Sequence, residues 1–412
     1  MGQTLLIFSQ TFVPDPAAVG QYMSDVAVAM AARGHRVVVY ASGRGYEDPT
    51  RKYSRRENLR GVEVHRFPFA SFGKRSMPLR VAGTFVFMLQ CLVTGLLADA
   101  DGIFFSTSPP LIGVIAVIIH IIRGIPIAYW AMDLNPDQLI ALGKIKPGGW
   151  RARFLGAANQ LILRESSLVI ALDRLMAERL AGRCRLGAKL VVIPPWPLDE
   201  HLGAADAAAV DAFRARHGLN GKFVIMYSGN HSPSNPLDTI LQAAERLRDA
   251  PSLCFAFVGG GSGKAQVEQF IREHRLTNAV CLPYQPLATL GQSLSAADVH
   301  VVALGDNMAG IVHPCKIYGA MSVGRPILYL GPEPSHVSDL LAAHAIGRRI
   351  AHGDVTAAVT AIRDFQSAGS AKLSEMGDLA QQALKRQLSQ KLLRDRLCAR
   401  LEAVFNFGTK RR

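Results

Sequence analysis

A Cys-x-x-Cys pair, a zinc-finger spacing and a complete nucleotide-binding fingerprint are all missing from this 412-residue sequence. The six cysteines stand at positions 91, 184, 254, 281, 315 and 398 with no Cys-x-x-Cys among them. That excludes a disulfide-stapled scaffold and fits reduced thiols in core positions. Met1-Gly2-Gln3-Thr4-Leu5-Leu6-Ile7-Phe8 has neither a basic start nor a cleavage site, so it reads as a first strand rather than a signal peptide. No zinc-finger spacing and no RNA-recognition signature occur, which ranks nucleic acid last among anionic partners. No metal-ligand cluster, internal repeat or low-complexity tract is present. Gly259-Gly260-Gly261-Ser262-Gly263-Lys264 is glycine-rich, but no Ser or Thr follows the lysine, so it is not a P-loop. Lys264 also stands where the last glycine of G-x-G-x-x-G belongs.

Acidic residues are the scarcer charge, 32 against 46 Lys and Arg, for a formal net charge of +14. Such a balance suits a membrane surface or a phosphorylated substrate. With 49% hydrophobic and 19% charged residues the chain is globular or membrane-leaning, and its length allows two ordinary domains.

In chain order, Thr4 to Ser9 reads as a buried strand. A helix follows Gly20, with Met23, Val26, Ala27 and Met30 on one 3.6-period face, and Val37 to Tyr40 is the next strand. This is βαβ, hence a parallel sheet. Gly20 lets a ligand or a neighbouring backbone come close, or it is a turn glycine. Further strands are expected at 103–106, 125–131, 168–172 and 190–193. Asp133 and Asp137 follow one of them, where ligand sites of open α/β sheets lie. Either carboxylate can bond a sugar hydroxyl or take a proton, or serve as a cap. Pro194-Pro195-Trp196-Pro197 is the linker. A second βα series has strands at 223–227, 254–258, 280–282, 299–304 and 327–330, then helices over 353–406. The fold class is therefore α/β, two doubly wound parallel-sheet domains over 1–197 and 198–390, with a C-terminal helix and basic tail over 391–412.

Within the second domain, Val299 to Leu304 runs into Gly310-Ile311-Val312-His313-Pro314-Cys315-Lys316. Pro314 is placed in the first turn of a helix, Gly324 at its stop, and Lys316 beside free N–H groups that suit a phosphate; a structural βαβ with a solvated lysine is the alternative. The polar loop Ser228-Gly229-Asn230 after the 223–227 strand offers a second phosphate cradle.

Two features suggest an anionic lipid surface. Arg51, Lys52, Arg55, Arg56, Arg60, Arg66, Lys74, Arg75 and Arg80 are mixed with Phe67, Phe69 and Phe72, unless this is simply a solvated loop. Val81 to Ala98 is 18 residues without a charge. Its polar and glycine residues argue for an apolar helix dipping into one leaflet rather than a span.

Phe12-x-Pro14, Gly20, Arg33-Gly34-His35-x-Val37, Ser228-Gly229-Asn230, Val258-Gly259-x-Gly261 and Pro314-x-Lys316-x-x-x-x-Met321-x-x-Gly324-x-Pro326 come in an order that resembles the GT-B glycosyltransferases of retaining family four. Pro314-Cys315-Lys316-Ile317-Tyr318-Gly319 looks most like the colanic-acid and exopolysaccharide branch. The resemblance covers nearly the whole chain. It implies two Rossmann-like domains facing a cleft, the N-terminal one binding the acceptor at the membrane and the C-terminal one the nucleotide sugar, with the last helix returning to the first domain and retention of anomeric configuration. The donor is a nucleotide sugar, UDP- or GDP-linked, with no cofactor and no metal. The acceptor is a polyprenyl-diphosphate-linked saccharide, taken at the cytoplasmic face of the membrane.

On that resemblance Gly20, Ser228, Gly229, Asn230, Gly259, Gly261, Pro314, Lys316, Ile317, Tyr318 and Gly319 line the donor. Lys316, Asp133 and His313 are the catalytic candidates. Two family glutamates fall on Ile311 and Gly319, and an Arg and a Lys fall on Asn230 and Asn235. Tyr318 with the Gly319 backbone, and Asp306 or Asn307, are the expected substitutes for the carboxylates. A sugar-nucleotide epimerase of the same architecture and a non-catalytic assembly partner are the alternatives.

Overall fold

The computed structural model describes residues 3–15, 17–45, 50–68, 77–197 and 205–405. The chain divides into two compact units, Met1–Leu198 with Gln390–Arg412, and Asp199–Ser389.

Unit 1 runs β1 (Thr4–Phe8), α1 (Ala18–Ala32), β2 (Arg36–Ser42), β3 (Arg56–Leu59), β4 (Val62–Phe67), α2 (Met77–Leu97), β5 (Gly102–Ser106), α3 (Ile112–Arg123), β6 (Ile127–Trp130), α4 (Asp137–Ala141), α5 (Trp150–Glu165), β7 (Leu168–Ala171), α6 (Arg174–Ala181) and β8 (Leu190–Val192). The sheet order is β3-β4-β2-β1-β5-β6-β7-β8, parallel except at the β3 edge. Leu5, Leu6, Ile7 and Phe8 are buried, as are Ile103, Phe104 and Phe105 of the adjoining β5. A parallel strand covered on both faces needs this continuous apolar run.

The basic stretch expected at a lipid interface contains a hairpin. Arg60 (φ 50°) and Gly61 (φ 89°) make the two-residue turn between β3 and β4, the positive-φ pair that matches strand twist. Arg66 is 4% exposed, and its guanidinium donates to Ser54 O, Val13 O and Glu57 Oε1 at 3.1, 2.7 and 2.6 Å. It is thus an internal strut and no headgroup ligand. Phe67 stacks on Tyr40 and packs edge-on against Phe87. Phe69, Phe72, Lys74, Arg75, the Arg80 side chain and the tail Lys410-Arg411-Arg412 lie outside the described residues.

Unit 2 runs α7 (Ala207–Arg216), β9 (Phe223–Ser228), α8 (Asp238–Arg246), β10 (Leu253–Val258), α9 (Lys264–Glu273), β11 (Ala279–Leu282), α10 (Leu290–Ser295), β12 (Val299–Ala303), α11 (Lys316–Ser322), β13 (Ile327–Leu330), α12 (His336–Ala343), β14 (Gly347–Ile350), α13 (Val355–Ser367) and α14 (Gly369–Gln387). Its sheet is all parallel in the order β11-β10-β9-β12-β13-β14. The edge strand β14, Gly-Arg-Arg-Ile, adds to the expected series; two arginines in four residues conceal a strand from an apolar-run criterion.

The last helix, α15 (Gln390–Val404), belongs to unit 1. Arg33 pairs with Asp395 and Glu402 at 3.1 and 3.0 Å, and Gln390 Nε2 donates to Asp25 at 2.7 Å. The Phe405 ring lies so close to Gly102 that a Cβ there would come within 2.6 Å of it. Leu393, Leu397, Leu401 and Phe405 are buried.

Candidate active site

In unit 2 the C-terminal ends of β9, β10 and β12 bring three loops together. Backbone bonding persists past the strands: Gly229 N–H donates to Val258 O and Gly259 N–H to Leu282 O, both at 3.0 Å. Gly259 has φ +121°, and a Cβ on it would lie 2.1 Å from Gly229 O. Gly261 has φ +118°, and a Cβ there would lie 2.1 Å from Asn230 Oδ1. Only glycine permits both the backbone conformation and the approach. His231 N–H donates to Gly260 O at 2.7 Å and Gly263 N–H to His231 O at 2.8 Å, so the 229–235 loop is laced to the glycine-rich one.

Lys316 lies across this floor. A Cβ on Gly229 would come within 2.7 Å of the lysine Cε, so the absence of a side chain at 229 makes room for the lysine stem. Lys316 Nζ sits 5.3 Å from the centre of the Tyr227 ring, within cation–π range. The Asn235 amide bridges strand end and lysine: turned to satisfy both ends, its nitrogen donates to Ala303 O at 2.8 Å and its oxygen accepts from Nζ at 3.3 Å. Burial pushes the ammonium down to about 8, because desolvation disfavours the charged form. Two of its neighbours are neutral: the Asn235 amide, and Tyr227, whose own ionisation burial opposes. A lysine desolvated with no carboxylate partner among the described residues is prepared to gain from an arriving anion.

The approach to Lys316 differs from the expected helix start. The helix begins at Lys316, with Pro314 ahead of it, and is seven residues long. The N–H groups of Cys315, Ile317 and Tyr318 already donate to His313 O, Pro314 O and Cys315 O. Of the N–H groups expected free there, these three are engaged, and the cation of the site is the lysine side chain. Ile317 is 0% and Tyr318 1% exposed, so both side chains are core rather than lining. The Tyr318 hydroxyl lies between His313 Nε2 (2.7 Å) and His336 Nε2 (3.1 Å). Ile311 is buried, and a Cβ on Gly319 would meet Leu294 Cδ1 at 3.3 Å. Asp306 and Asn307 are exposed on the single turn after β12, which is tied to the cradle by Gly305 N–H donating to Ser234 O at 2.8 Å. Lys264 is spent on structure, its Nζ donating to Phe257 O and Leu282 O at 2.6 and 3.1 Å.

Two cradle residues carried no role in the sequence reading. Asn235 registered only as the loss of a family lysine, although an Asn-Pro pair ending a polar loop is a signal for a fixed amide. His231 is 2% exposed, with Nδ1 3.3 Å from Gly260 O and Nε2 unbonded among the described residues. Burial, with the Lys264 charge adding, pushes it down to about 4, so it is neutral at ordinary pH.

Unit 1 supplies the other candidates. A Cβ on Gly20 would lie 3.0 Å from Phe12 Cα and Thr11 O, so a neighbouring backbone accounts for that glycine. Asp133 follows β6, its N–H donating to Thr107 Oγ1 at 3.3 Å, and burial pushes its carboxyl up to about 6. It lines a cavity with Ser106, Thr107, Tyr129 and Asn159. Among the described residues no three His, Cys, Asp or Glu side chains gather as a metal site, and no helix is long and apolar enough to cross a membrane.

Residues 17–196 match the family described as glycosyl transferase 4-like domain. Over 355 residues the chain is 26% identical to the colanic acid biosynthesis glycosyl transferase WcaI of Escherichia coli (strain K12), covering 78% of this chain and 81% of that one. Among solved structures it is similar to Anabaena HepE in complex with UDP and glucose, with a TM-score of 0.73 at 15% identity over 97% of this chain and 100% of that one. It is also similar to WaaG, a glycosyltransferase involved in lipopolysaccharide biosynthesis, with a TM-score of 0.70 at 14% identity over 98% of this chain and 100% of that one. The two structural likenesses bear on the fold alone.

Proposed function

From the premise that this chain is a GT-B glycosyltransferase, we propose that it moves a hexosyl group from a nucleoside-diphosphate sugar onto a lipid-diphosphate-linked saccharide, in the assembly of a bacterial exopolysaccharide or O-antigen. The carrying observation is the cradle of Gly229, Asn235 and Lys316, a desolvated cation above a glycine floor. Breaking the sugar–phosphate bond leaves negative charge on the diphosphate. A cation fixed in a water-poor site stabilises that charge more as it develops, which lowers the barrier. HepE is bound to UDP and glucose, which favours a uridine donor here. The reaction proceeds with retention and without a metal or cofactor, and the donor hydroxyls are met by Asp306 or Asn307 in place of the absent glutamates.

The acceptor reading rests on unit 1. Val81, Phe85, Leu89, Val93 and Leu97 recur every fourth residue on α2 and are 61, 65, 50, 50 and 81% exposed. α2 packs on α3 and α3 on α5, which add exposed Ile121, Ile122, Trp150 and Phe154. Lys144, Lys146, Arg151 and Arg153 are exposed beside them. An apolar face with basic neighbours suits the headgroup boundary of an anionic bilayer, where a polyprenyl diphosphate is presented. The protein then works as a peripheral protein on the cytoplasmic face.

The test is a donor screen. Purified protein is mixed with UDP-, GDP-, TDP- and CDP-sugars, with and without membrane extract, and nucleoside diphosphate release is followed. Release from one donor only in the presence of lipid supports the proposal. Absence of both release and donor binding across the set would sink it.

A further inference from the structure

In unit 2 two imidazoles meet on one phenol, in a cluster that the donor chemistry above does not use. Tyr318 is on α11, and its hydroxyl lies 2.7 Å from His313 Nε2 and 3.1 Å from His336 Nε2. The His313 ring stacks on the phenol at an interplanar angle of 18°, and the two imidazole centres are 4.4 Å apart. His336 opens α12, where buried Ser335 and Ser338 exchange the bonds of a capping box. Its ring is therefore carried by a fixed helix start. His313 belongs to the loop that runs into Lys316, and its carbonyl accepts from Cys315 N–H at 2.9 Å.

Hydrogen counting makes the cluster directional. The Tyr318 hydroxyl is 1% exposed and carries a single hydrogen, so it donates to one imidazole and accepts from the other. The two lengths distinguish them. An O–H donor makes the shorter bond and an N–H donor the longer one. The phenol thus donates to His313 Nε2, and His336 Nε2–H donates to the phenol. A neutral imidazole has one hydrogen, so His313, accepting at Nε2, carries it on Nδ1. We propose that Tyr318 and His336 are positioning residues that hold His313 in this tautomer, so that it serves an oxygen of the nucleotide sugar as a neutral N–H donor and not as a general base. Such a donor adds a hydrogen bond without adding a second positive charge to oppose that of Lys316. The tautomer stands on the geometry of the cluster; its use in the reaction rests on the transferase reading.

The experiment reads the tautomer first. Long-range proton–nitrogen correlation spectra of the full chain, labelled in histidine and kept alkaline so that the rings are neutral, separate a hydrogen-bearing ring nitrogen from a bare one. His313→Asn and His336→Glu assign the two sets of signals. His313 should show a bare Nε2 in the wild-type protein. A carboxylate at position 336 only accepts, so His336→Glu should turn the phenol round and move the His313 hydrogen onto Nε2. Turnover of the donor found in the screen is the second arm, with melting temperatures reporting that each variant is folded. An Asn amide nitrogen takes the place of Nδ1, a Gln one that of Nε2. His313→Asn should therefore keep kcat/KM within about threefold and leave the shape of the pH–rate profile unchanged, whereas His313→Gln and Tyr318→Phe should lose roughly tenfold, the scale of one hydrogen bond. A hydrogen on wild-type His313 Nε2, a His313 signal indifferent to His336→Glu, equal activity of His313→Gln and His313→Asn, or a limb of the pH profile lost in His313→Asn would overturn the proposal. If no donor turns over, the transferase reading fails while the spectra still decide the tautomer.

Discussion

Lys316 and Gly229 are a matched pair, and each sets a prediction. The unliganded ammonium titrates near 8 because burial disfavours its charge. In the proposed role it meets the diphosphate as a cation below that pH; above it the free site is neutral and binding must first recover a proton. UDP affinity should therefore fall as pH rises through 8, by up to roughly tenfold per unit. Calorimetry between pH 7 and 9.5 checks this, and Lys316→Arg should flatten the profile; a flat wild-type curve would remove the lysine from the site. Lys316→Ala should lower kcat/KM by roughly 10²-fold or more, the scale of losing one charge-stabilising group.

Gly229 combines φ +135° with the close lysine stem. Gly229→Ala should cost about 1–3 kcal/mol of stability and also weaken UDP. Gly218, with φ +67° and open space around it, is the control: Gly218→Ala should lower the melting temperature and leave UDP affinity unchanged. Equal UDP affinity in both variants would refute the packing argument.

Among the elements, α2 carries the membrane proposal. Phe85→Asp with Leu89→Asp places two charges on the exposed face without touching buried Phe87 or Cys91. Co-sedimentation with phosphatidylglycerol vesicles should drop at least tenfold with an unchanged melting temperature. Binding that persists would detach the face from the membrane. The same helix illustrates what a sequence conveys. Its apolar length was readable as a helix, and the stretches 103–106 and 125–131 after it as strands, because burial on both sides of a parallel sheet demands such runs. Gly324 was readable as the stop of α11, and it takes φ +64° two residues past Ser322. Arg66 was not readable: a list of basic residues says nothing of the pleat, and Val62 and Val64 put position 66 on the buried face of β4. Nor was the cradle complete in sequence, since the partnership of Asn235 with Lys316 links residues 81 positions apart through the end of β12.

At the scale of the whole molecule, unit 2 is continuous in sequence while unit 1 is closed by α15. Removing residues after Ser389 would strip Leu393, Leu397, Leu401 and Phe405 from the unit 1 core. At about 1.5–3 kcal/mol each that loss rivals the ~5–15 kcal/mol by which a domain is stable. Calorimetry of the truncated chain should show the unit 2 transition intact and the unit 1 transition lost; two intact transitions would make α15 dispensable.

That closure also gives the chain a timetable. The strands of unit 1 leave the ribosome first, yet their last helix is encoded after all of Asp199–Ser389. At ~5–20 residues per second, unit 1 waits on the order of 10–40 s, with Gly102 uncovered where Phe405 will sit, while unit 2 is made and folds. Chaperone demand should therefore track the delay before α15 emerges. A circular permutant that places α15 ahead of Thr4 would shorten that wait without altering either unit.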